Sequence, residues 1–217
     1  MVGSVDYNEM TIQSDTTNDL PPKLQPPGAG LPPLELFTAK HFLFPAFCRL
    51  HDFSKATAHF EITANKLIQA TEAIPQPLRE KPVLVKPLQG IEDSSRYWSS
   101  SMVLEHLIIV GNLMADVIEH LAFDKEVPFV ADVAAVKPTG QLSGELCILQ
   151  YRDFTHKFLL KVKPLREFEH KPNTYNHPWF GPINLHQWLC LAGLHEQIHL
   201  KQIDEIAKSL TKNRANR

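Results

Sequence analysis

From residue 184 to residue 210 the chain holds one unbroken helical pattern, and no other stretch restricts its fold as much. Trp188, Ala192, His195, His199, Gln202 and Ile206 follow one another at intervals of four, three, four, three and four residues. That spacing puts them in a single stripe along one helix face. No proline interrupts the run. A helix this long must bury its apolar stripe against other elements, so the pattern calls for a bundle. Three more segments read the same way. Residues 53–73 carry Phe60, Ala64, Leu67 and Ile68 on one face, with Ser54 as a candidate cap. Residues 95–121 form a second helix. Residues 143–163 form a third, with Leu146, Ile148, Leu149, Phe154, Phe158 and Leu159 as apolar contacts. Proline-rich loops separate them, and no segment shows sustained alternation beyond a short stretch at Val83–Val85. The expected fold class is all-α, a four-helix bundle. Residues 34–50 read as an additional short helix, broken near Pro45.

Residues 1–33 differ in character. Pro21, Pro22, Pro26, Pro27, Pro32 and Pro33 crowd with Gly28 and Gly30 after a Thr-, Ser-, Asn- and Asp-rich start. Proline at that density neither continues a helix nor donates to a sheet, so 1–33 is expected to be an extended, flexible leader and 34–217 the helical domain. A docking arm is the alternative.

The chain has 217 residues and a formal charge of −2. That balance argues against a protein that works by gripping phosphate backbones, and no nucleic-acid partner is expected. Cys48, Cys147 and Cys190 are odd in number and widely spaced, which fits reduced thiols rather than a disulfide framework. The first 20 residues hold acidic groups and no Lys or Arg, unlike a secretory signal. Val2 excludes an N-myristoyl glycine. The most apolar stretch, 102–122, still carries Glu105, His106, Asn112, Asp116, Glu119 and His120, too many polar groups for lipid. A cytoplasmic protein without a membrane partner is the expectation.

Two histidines and a glutamine occupy the middle of the last stripe, where Leu or Ile would ordinarily stand. His195 and His199 lie one turn apart, about 6 Å along the axis, so their rings can converge on one ion. On the second helix Val103, His106, Val110, Leu113 and Val117 form a similar stripe, and His106 again takes a core-type position. One buried imidazole is satisfied by one hydrogen bond. Three in one core are costly unless something common satisfies them, and a divalent metal bound by nitrogen at about 2.0–2.1 Å does so while leaving a position open. The string from His195 to His199 also matches the HExxH helix of zinc proteases. A metzincin would need glycine at position 202 and histidine at position 205, where Gln202 and Glu205 stand, and only 18 residues follow His199 to supply a distant third ligand. Glu196 lies about 100° off the stripe, so it is either a group supporting the ligands or part of a solvated face.

A lone His in Leu104-Glu105-His106-Leu107 precedes the run from His195 to Ile203. A segment His177-Pro178-Trp179-Phe180-Gly181-Pro182 lies just ahead of that run. In order and spacing this set resembles the DinB/YfiT-like superfamily over roughly residues 50–210. The resemblance implies a four-helix bundle, often a homodimer, with a divalent metal (zinc or nickel commonly) on His106, His195 and His199. It also implies, among several activities, thiol-dependent transfer with a low-molecular-weight thiol as cosubstrate and a small-molecule acceptor. The expected nucleophile is a thiol or water activated by the metal. Hydrolysis on the same site and a non-catalytic metal-binding bundle are the rival readings. Gln202 either orients a ligand imidazole or is a buried amide satisfied by backbone. Trp188 either walls the pocket or packs in the core. His177 is read as structural more than as a pocket residue. His120, His186 and the remaining histidines have no partner at ligand spacing, and Cys147 and Cys190 are read as inert buried thiols.

Overall fold

The computed structural model describes residues 22–215. In chain order, α1 (Pro33–Thr38), a π-helical turn (Ala39–Leu43) and α2 (Phe44–Leu50) form one irregular helix. There follow α3 (Phe53–Glu72), β1 (Val83–Leu84), β2 (Tyr97–Trp98), α4 (Ser100–Ala122), α5 (Gly144–Val162), β3 (Thr174–His177), β4 (Gly181–Asn184) and α6 (Leu185–Ala215).

The expected break near Pro45 does not occur. Proline lacks an N–H and crowds the carbonyl four residues back. The helix meets this by widening one turn earlier, where the Phe44 N–H donates to the Ala39 carbonyl, five residues away.

The long helices close into a ring. α3 packs against α6, α6 against α4, α4 against α5, and α5 against α3. Their apolar stripes meet in one core, in which Phe60, Leu67, Leu104, Leu107, Leu189 and Ile203 are fully buried. The Phe60 ring stacks on Phe158 at 4.0 Å and meets the edge of Phe154 at 6.3 Å. Gly111 lets α4 approach α5 closely, because a Cβ there would stand 2.1 Å from the Phe154 ring. α4 is long and apolar enough to cross a membrane, with a mean hydropathy of 1.6 over 18 residues, but 61% of that window is buried inside the bundle.

Caps set where the helices begin. Asp52, not Ser54, caps α3, its side chain accepting from the Lys55 N–H at 2.9 Å. Ser99 caps α4 and Ser143 caps α5. Residues 95–98, read from sequence as helical, form a turn and β2 instead. The all-helical expectation also needs amending for two antiparallel ribbons. β1 pairs with β2, Val83 opposite Trp98. β3 pairs with β4 as a hairpin, Thr174 opposite Asn184 and His177 opposite Gly181. The hairpin delivers the chain straight into α6.

Of the leader read at 1–33, residues 1–21 lie outside the described residues. Residues 22–33 lie against the domain as a docked arm. The Gln25 N–H donates to Asp93 at 2.8 Å, and the Gly28 and Gly30 N–H groups donate to Glu92 at 3.3 and 2.9 Å. Gly28 and Gly30 hold φ of 82° and 83°, the left-handed region that glycine tolerates. Burial pushes the Glu92 carboxyl up, but the Lys137 ammonium and the Gly30 and Gly28 N–H groups outweigh it and hold Glu92 below its ordinary 4.5. The attachment is therefore intact above pH 4.5 and is lost as the pH falls through the lowered folded value. The Gly30 amide proton shift should titrate in that acid window by NMR and stay flat in Glu92→Gln.

Candidate metal centre

α4 and α6 are neighbours in the ring, and this brings His106 to the pair His195 and His199. His106 Nε2 lies 3.2 Å from His195 Nε2, and His199 Nε2 lies 3.1 Å from the same atom. Among the described residues this is the one group of three metal-ligating side chains whose ligand atoms converge. His106 and His199 are buried and His195 is partly so.

Two of the three tautomers follow from the neighbours. His106 Nδ1 stands 2.7 Å from the Val136 carbonyl, which only accepts, so Nδ1 carries the proton and Nε2 a lone pair. Gln202 donates from Nε2 to the Ser95 carbonyl at 2.7 Å, which orients its Oε1 toward His199 Nδ1 at 2.8 Å. His199 therefore also points a lone pair inward. His195 Nε2 faces both lone pairs and has at most one proton to offer. A cation at the meeting point satisfies all three. Nitrogen separations of 3.1–3.2 Å are those spanned by two bonds of about 2.0–2.1 Å at an angle of about 100°, close to tetrahedral. Burial pushes His106 down to about 4. Burial, then the charge of the neighbouring rings, holds His195 and His199 well below their ordinary value. All three are neutral at pH 7, the form that binds a metal.

A loop fixes His106 in place. Glu105, its neighbour on α4, accepts from the Thr139 and Gly140 N–H groups, each at 2.9 Å, and from the Thr139 hydroxyl at 2.6 Å. Lys137 donates to Glu92 at 2.9 Å and to Ser95 at 2.8 Å. Between these ties the Val136 carbonyl is held over the imidazole. Trp98 packs against His106 at 5.1 Å and lies parallel to His199 at 6.1 Å.

A cavity of about 850 Å³ opens beside the trio. Val110, Leu113 and Val117, on the same α4 stripe as His106, line it, so that stripe faces the cavity as well as the core. α1 and α2 form its far side through Glu35, Phe44 and Phe47, and the hairpin supplies His177 and Phe180.

Of the other residues singled out in the sequence, Gln202 orients a ligand imidazole and is also satisfied by backbone, so both of its readings hold. Trp188 is buried and lines the cavity, and its indole N–H has no acceptor among the described residues. Glu196 is neither solvated nor beside the ligands. It is buried across the bundle's diagonal, hydrogen-bonded to the Tyr151 hydroxyl of α5. Burial raises its carboxyl to about 8. It is not among the cavity's lining residues, which removes it as the base of an HExxH hydrolase. His177 holds its own turn, its Nδ1 accepting from the Trp179 N–H at 3.1 Å, and also lines the cavity, so both of its readings hold. His186 meets the His51 carbonyl at 2.7 Å, away from the trio. Cys48, Cys147 and Cys190 are free and buried, and burial pushes the Cys147 thiol up to about 12. Sequence reasoning missed Lys137, Glu92, Ser95 and Val136. Two of these act through backbone carbonyls, which leave no mark in a sequence.

No protein-family model matches the chain, and no curated protein matches it. The solved structure of TT2238, described as a four-helix bundle protein, is similar over 70% of this chain and 98% of that chain, at 21% identity and a TM-score of 0.46. The chain is a mostly helical protein whose four long helices form a bundle, with a three-histidine cluster between α4 and α6.

Proposed function

We propose that this protein is a metal-dependent enzyme of the DinB/YfiT-like type, holding zinc or nickel on His106, His195 and His199 and transferring a low-molecular-weight thiol to a small acceptor. The observation that carries the reading is the inward aim of the imidazole lone pairs, fixed by the Val136 carbonyl and by Gln202. When bound, the ion supplies Lewis acidity that lowers the pKa of a thiol or water. The chain's own residues supply the rest. Gln202 and Val136 keep the imidazoles in one tautomer. Trp98 and the apolar lining set low-dielectric walls beside the histidines, which strengthens electrostatic interactions there. Hydrolysis loses ground because Glu196 is turned away and engaged with Tyr151.

Two measurements test the reading. Protein purified without a histidine tag should contain about one zinc or nickel per chain by elemental analysis. Metal-loaded protein should consume thiol in the presence of a small electrophile, and chelated protein should not. Turnover with water alone would put hydrolysis in place of transfer.

A further inference from the structure

The cavity has a second polar feature besides the trio. His177 Nδ1 accepts from the Trp179 and Phe180 N–H groups at 3.1 and 3.4 Å, so the neutral ring carries its proton on Nε2. No acceptor for that N–H exists among the described residues. Nor is it sealed away, since the buried side-chain polar atoms without a partner there are His59 Nε2 and Trp188 Nε1. The ring lines the cavity, so Nε2–H is open to it. The His177 ring meets Trp188 edge-on at 5.5 Å, and Trp188 stands two helical turns before His195 on the same α6 stripe, so the donor lies on the cavity wall that leads to the trio. Elsewhere the walls are mostly apolar, with Phe44, Phe47, Leu113, Val117, Phe129 and Leu191 among them. Of the charges that reach the lining, Lys137 and Glu92 are paired with each other, Glu35 accepts from the Gly90 N–H, Asp132 accepts from the Ala134 N–H, and Lys201 is exposed. A polyanion or a sugar would leave this surface unsatisfied, whereas an apolar body would fill it.

We propose that the cavity takes a small molecule with an apolar body and a single oxygen-bearing head, and that the His177 Nε2–H holds the head oxygen on the wall that leads to the three imidazoles. The inference rests on the metal-centre reading only for what the head meets besides His177. The apolar cavity and the donor stand without it.

The probes are hexanoate, octanoate and decanoate, titrated by calorimetry into the full chain, both metal-free and zinc-loaded. Each added methylene should tighten binding about three- to fourfold, in either form of the protein. His177→Asn keeps a turn acceptor, because Oδ1 can take the place of Nδ1, but loses the far donor. It should bind decanoate about tenfold more weakly with the same gain per methylene. In the unsubstituted protein the ¹⁵N signal of His177 Nε2 should shift when decanoate is added, a reading that does not depend on the variant folding. Binding that does not vary with chain length overturns the apolar assignment. Full affinity in His177→Asn, or an unmoved Nε2 signal, overturns the donor. Equal binding with and without zinc, together with no zinc uptake, would defeat the metal-centre reading and leave this one standing.

Discussion

Replacing His199 with alanine should abolish metal uptake, from about one equivalent per chain to a background level by elemental analysis. His199 has no substitute within reach, because no other histidine, cysteine or carboxylate among the described residues converges on His106 and His195. Two imidazoles on different helices then remain, with one nitrogen pair at 3.2 Å. Gln202→Ala is the graded companion. It leaves all three ligands but frees His199 to take the other tautomer, and should weaken metal binding about 10- to 100-fold. A His199→Ala protein that keeps full stoichiometric metal defeats the assignment of the site. Equal effects of the two substitutions would mean that Gln202 does more than hold a ring.

Phe60→Ala should cost about 3–5 kcal/mol of folding stability. Phe60 is fully buried and sits in the aromatic cluster that joins α3 to α5, stacked on Phe158 and edge-on to Phe154. Removing the ring leaves a hole that neither partner can fill, because Phe154 is already held against Gly111 of α4. Domains of this kind are stable by about 5–15 kcal/mol, so the loss is about a fifth or more of the total. In thermal unfolding it should appear as a fall in Tm of about 6–20 °C. Leu149→Ala is the control, since Leu149 is 65% exposed and its loss should move Tm little. A fall below about 2 °C for Phe60→Ala would mean that the bundle does not depend on this cluster.

The helices and the three-histidine cluster were legible because both depend on period. His195 and His199 stand one turn apart, and His106 interrupts an apolar stripe on another helix, so spacing marks them as candidates and the family resemblance joins them into one set. Glu196 shows where this reasoning runs out. Its angle from the stripe suggests solvent only if a helix has one buried face. α6 touches α3 on one side and α4 on the other, and Tyr151 of α5 reaches it across the diagonal, so the buried arc is wide enough to include Glu196. The hairpin at Thr174–His177 and Gly181–Asn184 was hidden for another reason. Its strands are four residues long and carry Asn176, Pro182 and Asn184, which do not read as strand formers. Its pairing comes from the turn at Pro178 to Phe180 and from docking against α6. For residues 22–33 the alternative of a docking arm holds, and sequence could not choose it because proline density reports backbone stiffness, whereas the attachment is made by glycine N–H groups and by Glu92 and Asp93, more than 60 residues away.

The contact between Gly111 and Phe154 bears on how this sequence can drift. Any side chain at position 111 collides with the ring at 154, and any shorter residue at 154 leaves a void against 111. The two positions are therefore bound to change as a pair across descendants of this chain. A lineage that acquires alanine or serine at 111 should carry leucine or something smaller at 154, and one that keeps the phenylalanine should keep the glycine.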